Sequence, residues 1–310
     1  MNKIIKLQKK VTFENITEDF LIYKKQQIKE STYFNYTYKI QKYLLPAFKN
    51  LTLEEIAKYD FNKFSDDLLE ESHISNKFLK DILLVLKSIL RYAERKYDIK
   101  MKLELINLPR VRMHNLKVFS ANDKRKIKAR CLNSNDTKEL GIVLCLYTGM
   151  RIGEICALKW EDIDLNKKTI YIRHTLQRVY VNCKSTKILI DAPKSEKSLR
   201  SIPMSNLVYS KLKEIKENYR KEDFFLTGNS KHFLEPRGYQ YTFKKCLEEC
   251  RVHYRNFHCL RHTFATDCIN VGMDVKSLSE ILGHSDVSIT LNRYVHSSDK
   301  MKKRYLEKLA

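Results

Sequence analysis

The hydrophobic pattern of this chain changes once, near residue 100, and that change limits the folds open to it. Before that point, apolar residues recur at the spacing of one helix face, most clearly in the segment that begins at Ser75. That face is formed by Phe78, Ile82, Leu86, Ile89 and Ala93. Pro46 is expected to end one of the earlier helices. The helices predicted before Ser75 span residues 12–28, 31–45, 53–57 and 60–71.

The second part of the chain alternates helices with strands. A basic segment that contains Pro109 resembles a linker, and Ser120 is then expected to cap a helix. Short runs with period-two alternation predict strands at residues 168–173, 186–190 and 200–203, after which helices return. The predicted fold is mainly α with a small antiparallel β-sheet. Its divisions are an N-terminal all-α domain over residues 1–104, a basic interdomain linker over 105–117 and an α+β domain with a C-terminal tail over 118–310.

The charge of the chain points to a polyanionic partner. Lys and Arg number 59 against 37 Asp and Glu, a formal net charge of +22. So large a surplus repels itself unless a polyanion neutralises it, and nucleic acid gains affinity from each phosphate that is neutralised. The alternative is a Lys-rich proteome that raises the Lys content of every protein. Charge alone does not separate DNA from RNA.

Other classes of protein find no support in the sequence. No apolar stretch has the length of a membrane span, and the basic N-terminus lacks the apolar run of a signal peptide, so we expect a cytoplasmic protein without a membrane partner. Cys246 and Cys250 precede several histidines, but no CxxC pair is present. We therefore expect neither a metal nor a cofactor.

Chemistry-bearing residues begin at the segment Leu146–Glu154. Thr148 and Gly149 are expected to break one helix, and the next begins at Ile152. Arg151 would then lie at a helix N-terminus, where amides and a guanidinium can hold an anion together. Glu154 lies one turn further and could orient that arginine. The alternative is a plain corner between two helices.

A second segment, Pro193–Pro203, is predicted to form a turn between strands with Lys194 at its edge. A lysine beside a phosphate could protonate a leaving oxygen. Taken alone, the segment is an ordinary charged turn, and Lys197 competes for the same role.

Two further segments follow near the C-terminus. His258 and Arg261 are three residues apart and are expected to share one helix face, whereas His262 is expected to point elsewhere. Gly283 is expected to end a helix, with His284 directly after it. Tyr294 comes ten residues later and is one of 18 tyrosines. It is of interest only because of the residues that precede it.

The ordered set Arg, Lys, His-x-x-Arg, Leu-Gly-His and Tyr resembles the tyrosine recombinase (phage integrase) family. The motifs that carry the resemblance are Thr148–Glu154, the Pro-Lys-Ser stretch at 193–203, His258–Thr266, Leu282–Asp286 and Tyr294. The N-terminal helices are similar, more diffusely, to that family's core-binding (SAM-like) domain. Because these helices begin near Thr12, we expect no separate arm-binding domain before them.

The resemblance implies an enzyme that cuts and rejoins DNA and exchanges strands through a Holliday junction. It implies that Arg151 and Arg261 hold the scissile phosphate, that Lys194 protonates the leaving 5′-oxygen and that Tyr294 is the nucleophile. His258 would be a proton acceptor or a phosphate ligand, His284 would bond a non-bridging oxygen, and Glu154 would be a supporting acid. Neither metal nor ATP would be needed.

The implied partners are double-stranded DNA carrying attachment or core sites and three further copies of the chain in a tetramer. The tail after Tyr294 would form a short helix on Met301, Tyr305 and Leu309 that docks on a neighbouring subunit. An excisionase or a host DNA-bending protein is left open as a further partner. The expected location is the cytoplasm of a bacterial or phage-infected host cell, in association with the nucleoid.

Several alternatives remain. A type IB topoisomerase or a telomere resolvase uses related residues, although the sequences of the motifs here more closely resemble those of phage and transposon integrases. A dimer-resolving recombinase, a DNA-binding protein that has lost catalysis and a basic RNA-binding protein are the others.

Overall fold

A computed structural model describes residues 11–111, 117–134, 136–181, 185–191, 199–294 and 307. The chain divides into two compact units. One comprises Met1–His114 with Arg178–Lys187, and the other comprises Asn115–Gln177 with Ile188–Ala310. Nothing in the sequence pattern indicated that residues 178–187 would group with the first unit. The boundaries 1–104, 105–117 and 118–310 remain a prediction.

The first unit is helical around a core of aromatic and aliphatic side chains. Side-chain caps fix several helix starts: Thr12, Asp60 and Ser75 each accept a bond from a backbone amide of the helix that follows. The helices predicted to begin at residues 60 and 75 do begin there, within one residue. The longest helix, α6, buries its apolar face against the others. The helices are α1 Phe13–Lys25, α2 Glu30–Lys39, α3 Leu45–Phe48, α4 Leu53–Ala57, α5 Phe61–Ser72 and α6 Asn76–Tyr97.

Pro46 does not end the second helix, and that expectation is wrong. A π-helical turn, Ile40–Leu44, joins α2 to α3, and the amide of Leu45 donates to the carbonyl of Ile40 five residues back. A proline in a regular α-helix lacks its own N–H and clashes with the carbonyl four residues before it. The wider π turn changes the bonding just ahead of Pro46, so the helical path continues to Phe48.

The second unit is also mainly helical. Ser120 caps its first helix as predicted, through a capping box with Asp123. A large continuous core packs beneath these helices and includes Trp160 and Phe225, which are fully buried. The helices are α7 Ala121–Leu132, α8 Thr137–Thr148, α9 Ile152–Ala157, α10 Asn206–Ile215, α11 Pro236–Glu249, α12 His258–Asn270, α13 Val275–Leu282 and α14 Val287–Tyr294.

The strands form a three-stranded antiparallel sheet in the order β1-β2-β5 and a separate β3-β4 pair. Ile170 lies opposite both Ile163 and Ile202, which places three apolar side chains on the core side. The predicted strands are present, and the mainly α fold with a small antiparallel sheet is confirmed. Sequence reasoning missed β1 and β3. The strands are β1 Ile163–Asp164, β2 Thr169–Ile172, β3 Thr175–Tyr180, β4 Thr186–Asp191 and β5 Arg200–Pro203.

Two glycines in the left-handed backbone conformation position the residues of the candidate site. Gly149 ends α8 at φ +66°, and Gly283 ends α13 at φ +63°, as the sequence predicts. Each leaves a carbonyl at the end of a helix, near the side chains described next. Within the described ranges, no helix combines the length and apolarity that crossing a membrane requires.

Candidate active site

Arg151 stands at the start of α9 and is held there by Glu154. Its guanidinium Nη1 donates to Glu154 Oε1 at 2.7 Å, its backbone amide donates to Oε2 at 2.8 Å, and its Nη2 donates to the Gly283 carbonyl at 3.0 Å. The Arg151 side chain is still 36% exposed. It therefore presents its remaining N–H groups to solvent or to a ligand.

Glu154 is the centre of a buried ion network that also includes Arg200, a residue to which sequence reasoning gave no role. Arg200 donates from Nη1 and Nη2 to the two carboxylate oxygens and from Nε to the Ile281 carbonyl. Burial alone would raise the pKa of Glu154, but the bonds and charges of Arg200 and Arg151 outweigh it and lower the pKa to about 2. The carboxylate is therefore ionised at neutral pH.

Arg261 lies on α12 and is 2% exposed. Its Nη1 donates to the Gly149 carbonyl at 2.8 Å and its Nη2 donates to the Leu282 carbonyl at 2.7 Å. Burial, followed by repulsion from Arg151, lowers its pKa to about 9, which still leaves the guanidinium charged at neutral pH. Carbonyls at the ends of α8 and α13 thus hold this cation. A guanidinium has five N–H groups, and the two bonds to carbonyls do not use all of them.

His284 follows Gly283 and is fixed at two points. Its amide donates to the Ser279 carbonyl at 3.0 Å, and its ring Nδ1 lies 2.7 Å from the hydroxyl of Thr290, which is fully buried. Burial and the charges of Arg261 and Arg151 lower its pKa to about 4. The ring is therefore neutral near pH 7, with Nε2 available for a ligand. Nothing in the sequence had indicated Thr290.

Tyr294 ends α14 and is buried, with its phenol oxygen 2.7 Å from Nδ1 of His262. The expectation that His262 points elsewhere is therefore wrong. Cys259 to Thr263 are all buried, because several elements cover the first turns of α12, so a single-face argument fails there. Burial raises the pKa of Tyr294, while the charges of Arg261, Arg293 and Arg151 act against that rise.

His258 is the outermost of these groups. It begins α12, its side chain is exposed, and its ring centroid lies 4.4 Å from that of His262. Packing around the ring and the neighbouring His262 and Arg261 lower its pKa. His258 and Arg261 thus border the same site, although one is exposed and the other buried.

Two expectations lie outside the described residues. Lys194 belongs to residues 192–198, and the predicted tail helix with Met301, Tyr305 and Leu309 lies beyond Tyr294, where only residue 307 is described.

The described side chains bring together groups whose chemistry suits a phosphate ester. Two guanidinium groups on fixed carbonyls supply positive charge, neutral histidines supply hydrogen bonds, and a buried phenol supplies a nucleophile. Within the described ranges, no cluster of three His, Cys, Asp or Glu side chains is arranged to hold a metal ion. Charge that develops on phosphate oxygens would here be met by arginine.

Comparison with known proteins shows the family to which the chain belongs. Residues 107–301 match the model of the phage integrase family, and residues 12–69 match the N-terminal SAM-like domain of phage integrases. The chain belongs to the phage integrase family of tyrosine recombinases.

Its relatives include a tyrosine recombinase XerC-like protein of Caldanaerobacter subterraneus, 30% identical over 76% of this chain and 66% of that protein. The transposase of transposon Tn916 from Enterococcus faecalis is 32% identical over 51% of this chain and 42% of its own length. The chain thus spans less than two thirds of these relatives. The integrase of Staphylococcus phage L54a is 24% identical over 99% of this chain and 95% of its own length.

Solved structures share the fold. The Tn1549 transposon integrase, residues 82–397 in complex with circular intermediate DNA, superposes with a TM-score of 0.77 at 21% identity, covering 96% of this chain and 99% of that one. A lambda integrase dimer bound to a core site gives a TM-score of 0.66 at 18% identity, covering 93% and 97%.

Proposed function

We propose that this protein is a site-specific DNA recombinase that cuts and rejoins DNA through a covalent 3′-phosphotyrosyl bond at Tyr294. The observation that carries the proposal is the convergence of a buried phenol with two fixed guanidinium groups, since the charges of Arg261 and Arg151 both act on Tyr294. A DNA-binding protein without catalysis has no use for a nucleophile held in this way.

In the proposed reaction, Arg151 and Arg261 hold the non-bridging oxygens of the scissile phosphate, with His284 and His258 as further hydrogen-bond partners. The Tyr294 oxygen attacks phosphorus, the bond from phosphorus to the 5′-oxygen breaks, and Lys194 gives that oxygen a proton. Glu154 acts on Arg151, not on the DNA. A 5′-hydroxyl of another strand then attacks the phosphotyrosine and reverses these steps.

This reaction needs neither metal nor ATP. Two arginines provide the charge stabilisation that Mg²⁺ supplies in many phosphoryl-transfer enzymes. The phosphotyrosine bond conserves the energy of the phosphodiester that it replaces, so rejoining requires no further input. We therefore expect full activity in a chelator.

The proposed substrate is double-stranded DNA carrying two recombination core sites, bound by a tetramer that passes through a Holliday junction. Integration or excision of a mobile element is the preferred biological role, since the Tn916 transposase and the L54a integrase are among the relatives. The XerC-like relative supports resolution of DNA dimers as a second candidate. Supercoil relaxation without site preference would instead indicate a topoisomerase.

The test is covalent capture on DNA in EDTA. Because the target is unknown, the substrate is a library of nicked suicide duplexes with randomised core sequence, in which the cleaved fragment diffuses away. Denaturant-resistant adducts are isolated and sequenced for the wild type and for Tyr294→Phe. We expect adducts, enriched in one core motif, from the wild type alone.

Other outcomes are informative. Adducts from both proteins would move the nucleophile to another tyrosine, and Tyr305 would be replaced next. DNA binding by the wild type without any adduct, on duplexes shown to contain the bound core site, would favour a DNA-binding protein without catalysis.

A further inference from the structure

We propose that His262 accepts the phenol proton of Tyr294 during strand cleavage, an assignment that rests on the recombinase function proposed above. The geometric basis is direct, because Nδ1 of His262 lies 2.7 Å from the phenol oxygen and both residues are buried. A candidate base must lie within hydrogen-bond distance of the proton that it removes. His262 meets that condition before any substrate binds.

The direction of this hydrogen bond follows from the surroundings of Tyr294. The guanidinium of Arg261, whose charge acts on the phenol, can only donate and so offers the phenol proton no acceptor. The buried phenol O–H therefore needs another acceptor, and Nδ1 of a neutral imidazole provides one. The ring then carries its proton on Nε2. Tyr294 and His262 thus form a pair of hydroxyl nucleophile and adjacent base, an arrangement that activates the hydroxyl in other enzymes.

His262 is in the protonation state that the role requires. Burial and the charges of Arg293 and Arg261 lower its pKa to about 4, so the ring is neutral at the pH at which cells work. The same surroundings would make an imidazolium costly in the free protein. A bound phosphate, which gains negative charge as the reaction proceeds, lowers that cost at the moment of transfer.

The other two histidines have different geometry. His284 uses Nδ1 on Thr290, and its ring lies parallel to that of Tyr294 with centroids 6.5 Å apart. His258 is exposed and packs against His262 rather than against the phenol. The proton-acceptor role that sequence reasoning offered to His258 therefore passes to His262, and His258 keeps the role of phosphate ligand.

The step balances without another reactant. As the bond from the Tyr294 oxygen to phosphorus forms, the phenol proton moves to Nδ1 of His262. The bond from phosphorus to the 5′-oxygen breaks, and that oxygen takes a proton from Lys194. In rejoining, the His262 imidazolium returns its proton to the departing phenolate.

The experiment compares His262→Asn and His262→Ala with the wild type on the core duplex captured above. Asn keeps an oxygen acceptor near the position of Nδ1 but cannot take up a proton, so it separates holding Tyr294 from activating it. His253→Asn, at an exposed histidine outside the site, is the matched control. Cleavage rates are measured from pH 6 to 9 under single-turnover conditions, with thermal unfolding and DNA affinity measured in parallel.

We expect His262→Asn to slow cleavage by about 100-fold at neutral pH, the lower end of what a positioned base contributes. Its rate should rise about tenfold per pH unit, since the phenol must ionise unaided, whereas the wild-type rate should level off.

A second substrate separates activation of the nucleophile from protonation of the leaving group. It is a duplex with sulfur in place of the scissile 5′-oxygen, because that sulfur needs no acid to leave. This duplex should restore cleavage by Lys194→Ala but not by His262→Asn.

Two results would overturn the assignment. His262→Asn could cleave within about threefold of the wild type with the same pH profile, which would leave His262 with positioning alone. Alternatively, the sulfur substrate could restore His262→Asn, which would make His262 part of leaving-group protonation. Failure of the recombinase proposal itself is distinguishable, because the wild type would then form no adduct. If His262→Asn melts early, the pH profile of the folded His262→Ala protein decides the question.

Discussion

Arg200 donates two hydrogen bonds to the carboxylate of Glu154, from Nη1 at 2.9 Å and from Nη2 at 2.8 Å. The two side chains are only 5% and 2% exposed. Because the same carboxylate also holds Arg151, the first residue of β5 is linked to a guanidinium of the proposed phosphate site. Both the stability of the second unit and the position of Arg151 therefore depend on Glu154.

Replacing Glu154 with Gln should reduce both stability and cleavage. The change leaves the buried Arg200 without its counter-charge, and breaking a buried ion pair from one side costs about 3–5 kcal/mol. The free energy of unfolding in urea and the rate of adduct formation measure the two effects. Glu214→Gln, which breaks the exposed pair with Lys211, is the control and should cost less than about 1 kcal/mol. Equal losses from the two variants would contradict the importance given to the buried network.

Replacing Thr290 with Val should slow cleavage without weakening DNA binding. Valine fills the same buried volume but cannot bond Nδ1 of His284, so the ring is no longer held in the orientation proposed for contact with the phosphate. Loss of one orienting hydrogen bond, about 1.4 kcal/mol, corresponds to roughly a tenfold lower rate. Thr290→Ser keeps the hydroxyl and should cleave nearly as fast as the wild type. If valine and serine behaved alike, the hydroxyl would have no role in orienting His284.

Local signals explain what the sequence predicted. Ser120 and Gly283 act on the turn in which they stand, and the structure has the predicted cap at Ser120 and the predicted helix end at Gly283. A helix also begins after Ser75, as predicted. Arg151 and Arg261 were singled out because each lies in a short motif, whereas Tyr294 was singled out by the motifs that precede it. Such features do not depend on the rest of the fold.

What the sequence did not predict depends on partners distant in the chain. His262 meets Tyr294 32 positions later, and Arg200 meets Glu154 46 positions earlier. A helical wheel cannot reveal such contacts when neighbouring elements cover most of a helix, as they do at the start of α12. Pro46 was misread for the opposite reason, since a local change to π-helical bonding removed the clash that was expected to end the helix.

The protein should lose stability as the pH falls from about 6.5 to about 4. His262 and His284 have pKa values of about 4 in the fold against 6.5 for the unfolded chain, so the unfolded state binds more protons in this window. Nothing is lost above pH 6.5, where both states are neutral. Glu154 adds a separate loss below its ordinary value of 4.5, since its pKa in the fold is about 2.

Urea unfolding at pH 7.5, 5.5 and 4.5 would measure this dependence. His284→Asn, which removes one of the titrating rings, should flatten the decline between pH 6.5 and 4. A decline as steep in this variant as in the wild type would assign the loss to other groups.

Replacing Gly149 with Ala should destabilise the second unit and displace Arg261. Gly149 has φ +66°, a conformation that costs an L-residue about 1–2 kcal/mol, and an added Cβ would lie 2.5 Å from Cδ1 of Phe264. Its carbonyl also accepts from Arg261, so relief of this overlap by backbone movement shifts a guanidinium that we propose to bind phosphate. The free energy of unfolding should fall by about 2 kcal/mol or more, and adduct formation should fall with it.

Gly238→Ala is the matched control, because Gly238 lies within α11 and an added Cβ meets only the end of the Leu234 side chain at 3.2 Å. Since alanine favours helices over glycine by about 1 kcal/mol, that variant should be at least as stable as the wild type and equally active. If Gly149→Ala matched it in both measurements, the left-handed end of α8 would not be what holds Arg261 in place.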